Sequence, residues 1–405
     1  MKKIKCKLLN NLDDDSKFSI FEVIVIILIA MIFGIIVGCL LTYTNKSIYN
    51  DDKLNEIINT YNSIKDNYYD NIDEDTLVNG AVNGMIDSLG DNYSNYMGDE
   101  ATEDFTKSVD GSFIGIGVSV LFDGEYNKIV EVDVNGPAFK AGLKKDDVIL
   151  SVDGKDTKGV YGNNLTKLVN GKKNTKVKIK VKRGDTVKTY SVVRKLIEIE
   201  SVTSDIFKEN NKIIGYIDVD IIASNTYEQF KKNLDKLEKQ NIDSLVIDLR
   251  DNPGGHLSQT KEILSLFFDK KIVLYQVRDK NKTKKVYATG NINKKYPIVI
   301  LVNEESASAA EIITASFKEN YKNCMVVGTN TYGKGTVQQT IKLSTGTSIK
   351  YTIEEWLTPK GKNINKVGIK PDVELKQSQD YLMKPSYEND SQLQGALEIL
   401  KKKTS

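Results

Sequence analysis

Histidine is almost absent from this chain: His256 is the single one in 405 residues. Cysteine is scarce too, with Cys6, Cys39 and Cys324 at spacings that make neither a disulfide framework nor a metal motif. A zinc site of His and Cys ligands is therefore excluded, and no metal or other cofactor is expected. Charge of one sign is also lacking. The chain has 57 basic and 55 acidic residues, net +2, so electrostatics give no case for nucleic acid as a partner. The lysines are interspersed with acids and read as a solvated surface. No Gly-x4-Gly-Lys-Ser/Thr phosphate loop occurs.

Uncharged residues run without a break from Val23 to Leu41, a 19-residue span. That length crosses a bilayer core as a helix. Lys2, Lys3, Lys5, Lys7 and Lys17 precede it, which places the N-terminus in the cytoplasm and all that follows Tyr43 outside. A cleaved signal peptide, a lipoprotein signal at Cys39 and a buried core helix are the competing readings. Leu40-Leu41-Thr42-Tyr43 offers no small-residue cleavage site, which favours an uncleaved anchor over 20–43.

Asn45 to Asp52 reads as a linker. Helical spacing follows from Leu54 to Met97, through Leu54, Ile57, Ile58, Tyr61 and Ile64 and then Leu77, Val82, Met85, Ile86 and Leu89. Gly111 to Val118 reads as a glycine-spaced loop entering a strand, whose N–H groups can hold an anion such as a peptide carboxylate. An ordinary turn fits those glycines equally. Val177, Ile179 and Val181 alternate with lysines, as in a strand with one buried face. From Ile213 to Asp372 strands alternate with helices, which favours an α/β fold with a mostly parallel sheet.

The residues with chemistry follow three of those strands. Ser308 stands where a helix begins after the strand ending at Val302, between Ala307 and Ala309. The Ala309 N–H, at a helix N-terminus, can stabilise an oxyanion. A helix cap is the competing role for Ser306 and Ser308. Asp248 to Gly255 ends in Gly254-Gly255, a second source of oxyanion donors or simply a glycine turn. Gly333-Lys334-Gly335 allows a lysine to bend inward, and Gln338 four residues on can orient its amine. With so little histidine, a desolvated, neutral lysine can serve as general base; the competing base is His256, which would need an acid partner and reach to Ser308.

The run Ala141-Gly142-Leu143-Lys144, Asp147-Val148-Ile149 and Val152-Asp153-Gly154, with the glycine loop before it, resembles a PDZ domain. The resemblance implies a groove for a protein C-terminus, formed by Phe113, Ile114, Gly115, Ile116 and Gly117 and by Leu165, Leu168 and Val169 of a short helix. Asn170 stands where such domains in this family often carry a regulatory arginine. Asp248–Gly255, Ser306–Glu311, Thr331–Gln339, Trp356–Gly361 and Gly368–Asp372 together resemble the C-terminal processing peptidases, the S41 family of serine peptidases, and Gly80–Met97 matches their helical N-terminal region. The resemblance implies Ser308 as nucleophile, Lys334 as general base, Gln338 as its partner, and an oxyanion hole from Ala309 and Gly254 or Gly255. His256 then looks incidental.

The expected layout is a cytoplasmic tail (1–19), an anchor (20–43), a helical region (51–105), an inserted β-rich PDZ domain (106–195), the peptidase core (196–375) and a C-terminal helical segment (376–405). Protein substrates with accessible C-terminal tails are the expected partners. The early helices and Ser391 to Lys403 look apolar on one face, and the resemblance to the family implies that they can pair two subunits into a homodimer. A catalytically inactive PDZ scaffold is the alternative, against which Ser308, Lys334 and Gln338 stand together.

Overall fold

A computed structural model of the chain describes residues 20–48, 52–209, 211–291 and 294–403. The expected tail, 1–19, lies outside them. The chain divides into two units, Met1–Met85 and Ile86–Ser405.

The first unit is helical. A helix spans Ile20–Ile48. Its described side chains from residue 24 to 38 are all exposed, from Ile24 to Val37 largely Ile, Leu, Met and Phe. Among the described residues, no helix is long and apolar enough to cross a membrane. The described apolar run, 24–38, falls short of the roughly 20 residues a bilayer core requires. The side chains that would complete the expected span, Val23 and Cys39 to Leu41, lie outside those described. Two further helices, Asp52–Asn67 and Glu74–Asp87, are joined by Tyr61 and Lys65, which both meet the Glu74 carboxylate at 2.8 Å. Neither buries a residue, so Leu54, Ile57 and Met85 keep exposed apolar surface.

Two departures from the helical periodicity follow. Asn95–Met97 is a strand, because its backbone pairs antiparallel with Ser348–Lys350. The periodicity also misses the helix Asp99–Asp110, which ends on Gly111 in the left-handed conformation.

The PDZ region is an antiparallel sheet in the order Val118–Phe122, Asn127–Val132, Val148–Val152, Lys176–Arg183, Thr186–Val193. Val177, Ile179 and Val181 are buried and the alternating lysines face out, as their period of two requires. Ser112–Gly115, expected as a loop, is a strand paired with Lys195–Glu198. This ribbon joins the entry and exit of the PDZ region, so only Ile116 and Gly117 remain to form the turn. Val118–Phe122 pairs on one side only, leaving an open edge. The short helix Gly162–Val169 is present, but Leu165 is 4% exposed and belongs to the core with Ile129 and Ile149.

The peptidase region is built on a six-stranded sheet in the order Val202–Glu209, Lys212–Val219, Ser244–Asp248, Ile298–Val302, Cys324–Gly328, Val373–Glu374. All pairings after the first are parallel. Ser244–Asp248 and Ile298–Val302 are buried at every position, as strands covered on both faces must be. The helices Thr226–Glu238, Leu257–Ser265 and Ala309–Asn320 cover one face, where Phe230, Phe267 and Phe317 pack edge to ring. The helix Ser391–Lys403 covers the other face with Leu393, Ala396, Leu397 and Leu400. That helix therefore spends its apolar side on its own sheet rather than on a second subunit. A separate antiparallel sheet, not foreseen from the pattern, contains Asn95–Met97, Ser348–Leu357, Val273–Arg278 and Thr283–Tyr287, with Thr336–Lys342 also paired to Ser348–Leu357.

Arg250 fastens the C-terminal segment to the sheet. Its guanidinium bonds Asp248 and Asp390, and all three side chains are under 10% exposed. Burial alone would raise the Asp390 carboxyl, but the Arg250 contacts outweigh it and hold the group below its ordinary range. Removing one partner of such a cluster strands buried charge. Arg250→Ala is expected to cost about 3–5 kcal/mol of unfolding free energy. Denaturant titration checks this, and a loss under about 1 kcal/mol would contradict it.

Candidate active site

Three loops meet beyond the carboxyl ends of parallel strands, where α/β sheets place their sites. They follow Asp248, Val302 and Gly328. Backbone and side-chain bonds lace them together: Ala307 N–H to Asn252 O (2.9 Å), Ser306 Oγ–H to Leu249 O (2.7 Å) and Tyr332 N–H to Ser306 O (3.1 Å). Ser306 is fully buried in this lacing. Ser308 is half-buried, at the first turn of the helix Ala309–Asn320, with φ 53° and ψ −111°. A left-handed φ in a non-glycine residue at a sharp strand-to-helix turn is strained, and such strain concentrates at functional sites.

The opposite wall of that turn is Gly254, at φ +98°. A Cβ on Gly254 would stand 2.8 Å from Ala307 O and Ser308 Cβ and 2.9 Å from Ala309 N. The glycine-rich loop and the serine turn are thus in direct contact. The Gly254 N–H donates to Asn252 Oδ1 (2.8 Å). Among the described residues the Gly255 and Ala309 N–H groups have no protein acceptor.

Glu311 links the other two loops. Its carboxylate is fully buried. It accepts from Ser308 N–H (2.8 Å), Lys334 N–H (2.9 Å), Gly333 N–H (2.8 Å) and Thr331 Oγ–H (2.6 Å). Burial pushes the Glu311 carboxyl up, and the four donors oppose that. No residue-type argument singled out Glu311 as functional. The available signal was its place three residues after Ser308, the spacing of a capping box.

Lys334 is positioned through its backbone. Besides the Glu311 contact, Trp356 Nε1–H donates to Lys334 O at 2.7 Å. Gly333 adopts φ +88°, and a Cβ there would come within 2.8 Å of Gly368 N, so only glycine fits. The half-buried amine lies 5.0 Å over the Tyr93 ring. Burial pushes the Lys334 amine below the ordinary lysine value, the Lys350 charge adds to this, and Asp91 and Glu311 oppose it. The direction is the one a general base needs.

Gln338 Nε2 donates to Thr336 Oγ1 (2.8 Å) and Thr352 Oγ1 (3.1 Å). Among the described residues no hydrogen bond joins Lys334 to Ser308 or to Gln338; catalytic contacts of this kind often tighten only with substrate bound. His256 Nε2 lies 3.1 Å from the Val109 carbonyl and has no acid partner among the described residues, so its ring is used structurally. Asp91, Tyr93 and Lys350 border Lys334 and were not foreseen. They come from the strand-forming segment near Asn95 and from its partner strand. Of the predicted groove residues, Ile116 and Gly117 are buried in the turn before the open edge, Phe113, Ile114 and Gly115 sit in the ribbon, and Leu168 and Val169 are half-buried. Among the described residues no cluster suited to a metal ion occurs.

Comparison with known proteins places these features. The peptidase family S41 model matches residues 213–375, a PDZ domain model 112–193, and the N-terminal domain model of the activating protease CtpB 40–102. The carboxy-terminal processing protease CtpB of Bacillus subtilis (strain 168) is 38% identical over 332 residues, 81% of this chain and 68% of that protein. The carboxy-terminal processing protease CtpA of the same organism is 39% identical over 343 residues, 84% of this chain and 72% of that one. A probable CtpA-like serine protease of Staphylococcus aureus (strain N315) is 36% identical over 326 residues, 80% of this chain and 64% of its own length. Fold and relatives define a serine-type peptidase carrying a PDZ domain. The chain belongs to peptidase family S41, and in it to the C-terminal processing proteases.

Gly254→Ala is expected to lower kcat/KM on a peptide substrate by about 100-fold, since the added Cβ must push the Ser308 turn aside by on the order of 1 Å. Unchanged far-UV circular dichroism would show that the fold survives. Activity within about fivefold of the parent would contradict the close packing of the two loops.

Proposed function

We propose that this chain is a membrane-anchored, outward-facing endopeptidase using a Ser308–Lys334–Gln338 site on proteins whose C-terminal tails its PDZ domain holds. The observation that carries the reading is the Glu311 carboxylate, which accepts both the Ser308 and the Lys334 backbone N–H. One buried group thereby fixes nucleophile and base on a common support. The Lys334 amine takes the Ser308 Oγ proton as the oxygen attacks the scissile carbonyl. The Ala309 and Gly255 N–H groups bind the oxyanion. Lys334 returns the proton to the leaving amine, and water then releases the acyl group.

The open edge of Val118–Phe122, beside the helix Gly162–Val169, suits strand addition by a peptide tail. The uncharged span Val23–Leu41 behind Lys2, Lys3, Lys5, Lys7 and Lys17 supports the anchor and its orientation. The exposed Leu54, Ile57 and Met85 support pairing of two subunits through the early helices. Carbonate-washed membranes should retain the chain, and its release would remove the anchor. Sedimentation of the detergent-solubilised chain should give a dimer.

The catalytic test uses the full chain and a peptide substrate. Ser308→Ala and Lys334→Arg should both lose cleavage, because arginine stays protonated, and Ser308→Ala should also lose labelling by a serine-directed probe. Amidating the substrate's C-terminus should weaken its binding. Labelling at another residue, or full activity in Lys334→Arg, would overturn the site.

The pH profile gives a further check with a definite sign. Lys334 is the base only when neutral, so activity should rise with pH through its lowered pKa. The Lys350 charge disfavours the protonated amine. Lys350→Gln should therefore move the rise to higher pH, and an unmoved profile would show that Lys350 does not act on the base.

A further inference from the structure

The hydrogen bonds behind Gln338 have a fixed direction. Asp91 accepts at Oδ2 from Thr352 Oγ–H and from Ser94 Oγ–H, both at 2.5 Å, and at Oδ1 from the Tyr93 N–H (3.1 Å). Burial would raise this carboxyl, but the donors outweigh it and keep it below its ordinary range, so it is an acceptor only. The single proton of the Thr352 hydroxyl is committed to Asp91. Toward Gln338, Thr352 can offer only a lone pair. Gln338 must then present its NH2 group there, as the 3.1 Å contact from Nε2 records. Thr336 takes the second N–H at 2.8 Å.

A glutamine amide has two orientations of nearly equal shape. They differ in what the base would meet. The amide oxygen accepts an N–H from a lysine amine and leaves its lone pair free for the Ser308 proton. The NH2 group would donate to that lone pair and compete for it. The backbone contributes as well, since the register slips between Val337 and Gln338 where the strand faces Thr352. Such bulges re-aim side chains beside active sites.

Resting on the Ser–Lys reading above, we propose that Asp91 and Thr352 are positioning residues that set the polarity of the Gln338 amide, reserving its Oε1 for the Lys334 amine. Neither touches the substrate. Asp91 also acts on Lys334 directly by its charge, alongside Glu311, Lys350 and the Tyr93 ring. Thr352 carries no charge, so its variants isolate the orienting effect.

The experiment is a double-mutant cycle in the full-length enzyme, reading kcat and KM on one peptide. Thr352→Val, isosteric without the hydroxyl, should lower kcat about tenfold, the order of one lost hydrogen bond, with KM unchanged. Thr352→Ser should restore the rate to within about twofold. In a Gln338→Ala background, Thr352→Val should have no further effect, because its route to the base is gone. A purely structural threonine would add its full loss in that background. Additive losses, or Thr352→Ser as impaired as Thr352→Val, would overturn the proposal. Lys334→Arg in the same assay separates the two levels. If it is inactive, additive losses refute only the positioning role; if it is active, the Ser–Lys reading and this inference fall together.

Discussion

Everything in the site hangs on one buried carboxylate. Glu311 is held by the rigid helix Ala309–Asn320, and it gathers four donors from two loops: the Ser308 turn, and the loop that carries Thr331, Gly333 and Lys334. A buried acid is tolerable only when fully satisfied, and here each oxygen accepts twice. The satisfaction runs in both directions. The loops spare the carboxylate its desolvation cost, and the carboxylate gives otherwise irregular backbone a fixed geometry. Thr331 extends the support, since its hydroxyl also accepts from the Ile369 N–H at 2.7 Å.

On that support the chain stores strain where it is used. Ser308 sits at a positive φ that its own side chain disfavours. The tolerance comes from across the cleft, where Gly254 leaves room that any Cβ would fill. The surrounding sheet resists relaxation, being buried at every position of Ser244–Asp248 and Ile298–Val302. Arg250 adds a second fixed point by tying the loop after Asp248 to Asp390 near the C-terminus. The stiffness of the base of the site and the irregularity of its rim are therefore parts of one arrangement.

What was legible in the sequence had local causes. Ile298–Val302 is an unbroken apolar run between Pro297 and Asn303, and the structure places a strand on those residues. Lys176–Arg183 alternates and is half-buried. The serine at a helix start, the glycine pair and the glycine-flanked lysine could each be read from short stretches, and the three loops do converge. What escaped reading depends on distant partners. Ser112–Gly115 looks like a loop because Gly111, Gly115 and Gly117 space it, and only Lys195–Glu198 makes it a strand. Leu165 looks available for a peptide until the core around Ile129 claims it. Glu311 is one carboxylate among many acids until two loops point four donors at it. Asp91 and Thr352 are separated by 261 residues, and no periodicity connects them.

That last separation bears on how the enzyme comes into being. Asn95–Met97 finds its partner only at Ser348–Lys350, so the loop-closure entropy of some 250 residues stands between the ends of this pairing. The PDZ sheet, by contrast, closes on contacts made wholly within Val118–Val193 and can form while the chain is still emerging. Contacts of such high sequence separation are the slow ones in folding. The surroundings of Lys334 draw on Asp91 and Tyr93 from one end of this span and Lys350 from the other. A chain that lacks either end thus lacks part of the surroundings that act on the Lys334 amine. The setting of the Lys334 amine is therefore complete only when both ends of this long pairing are in place.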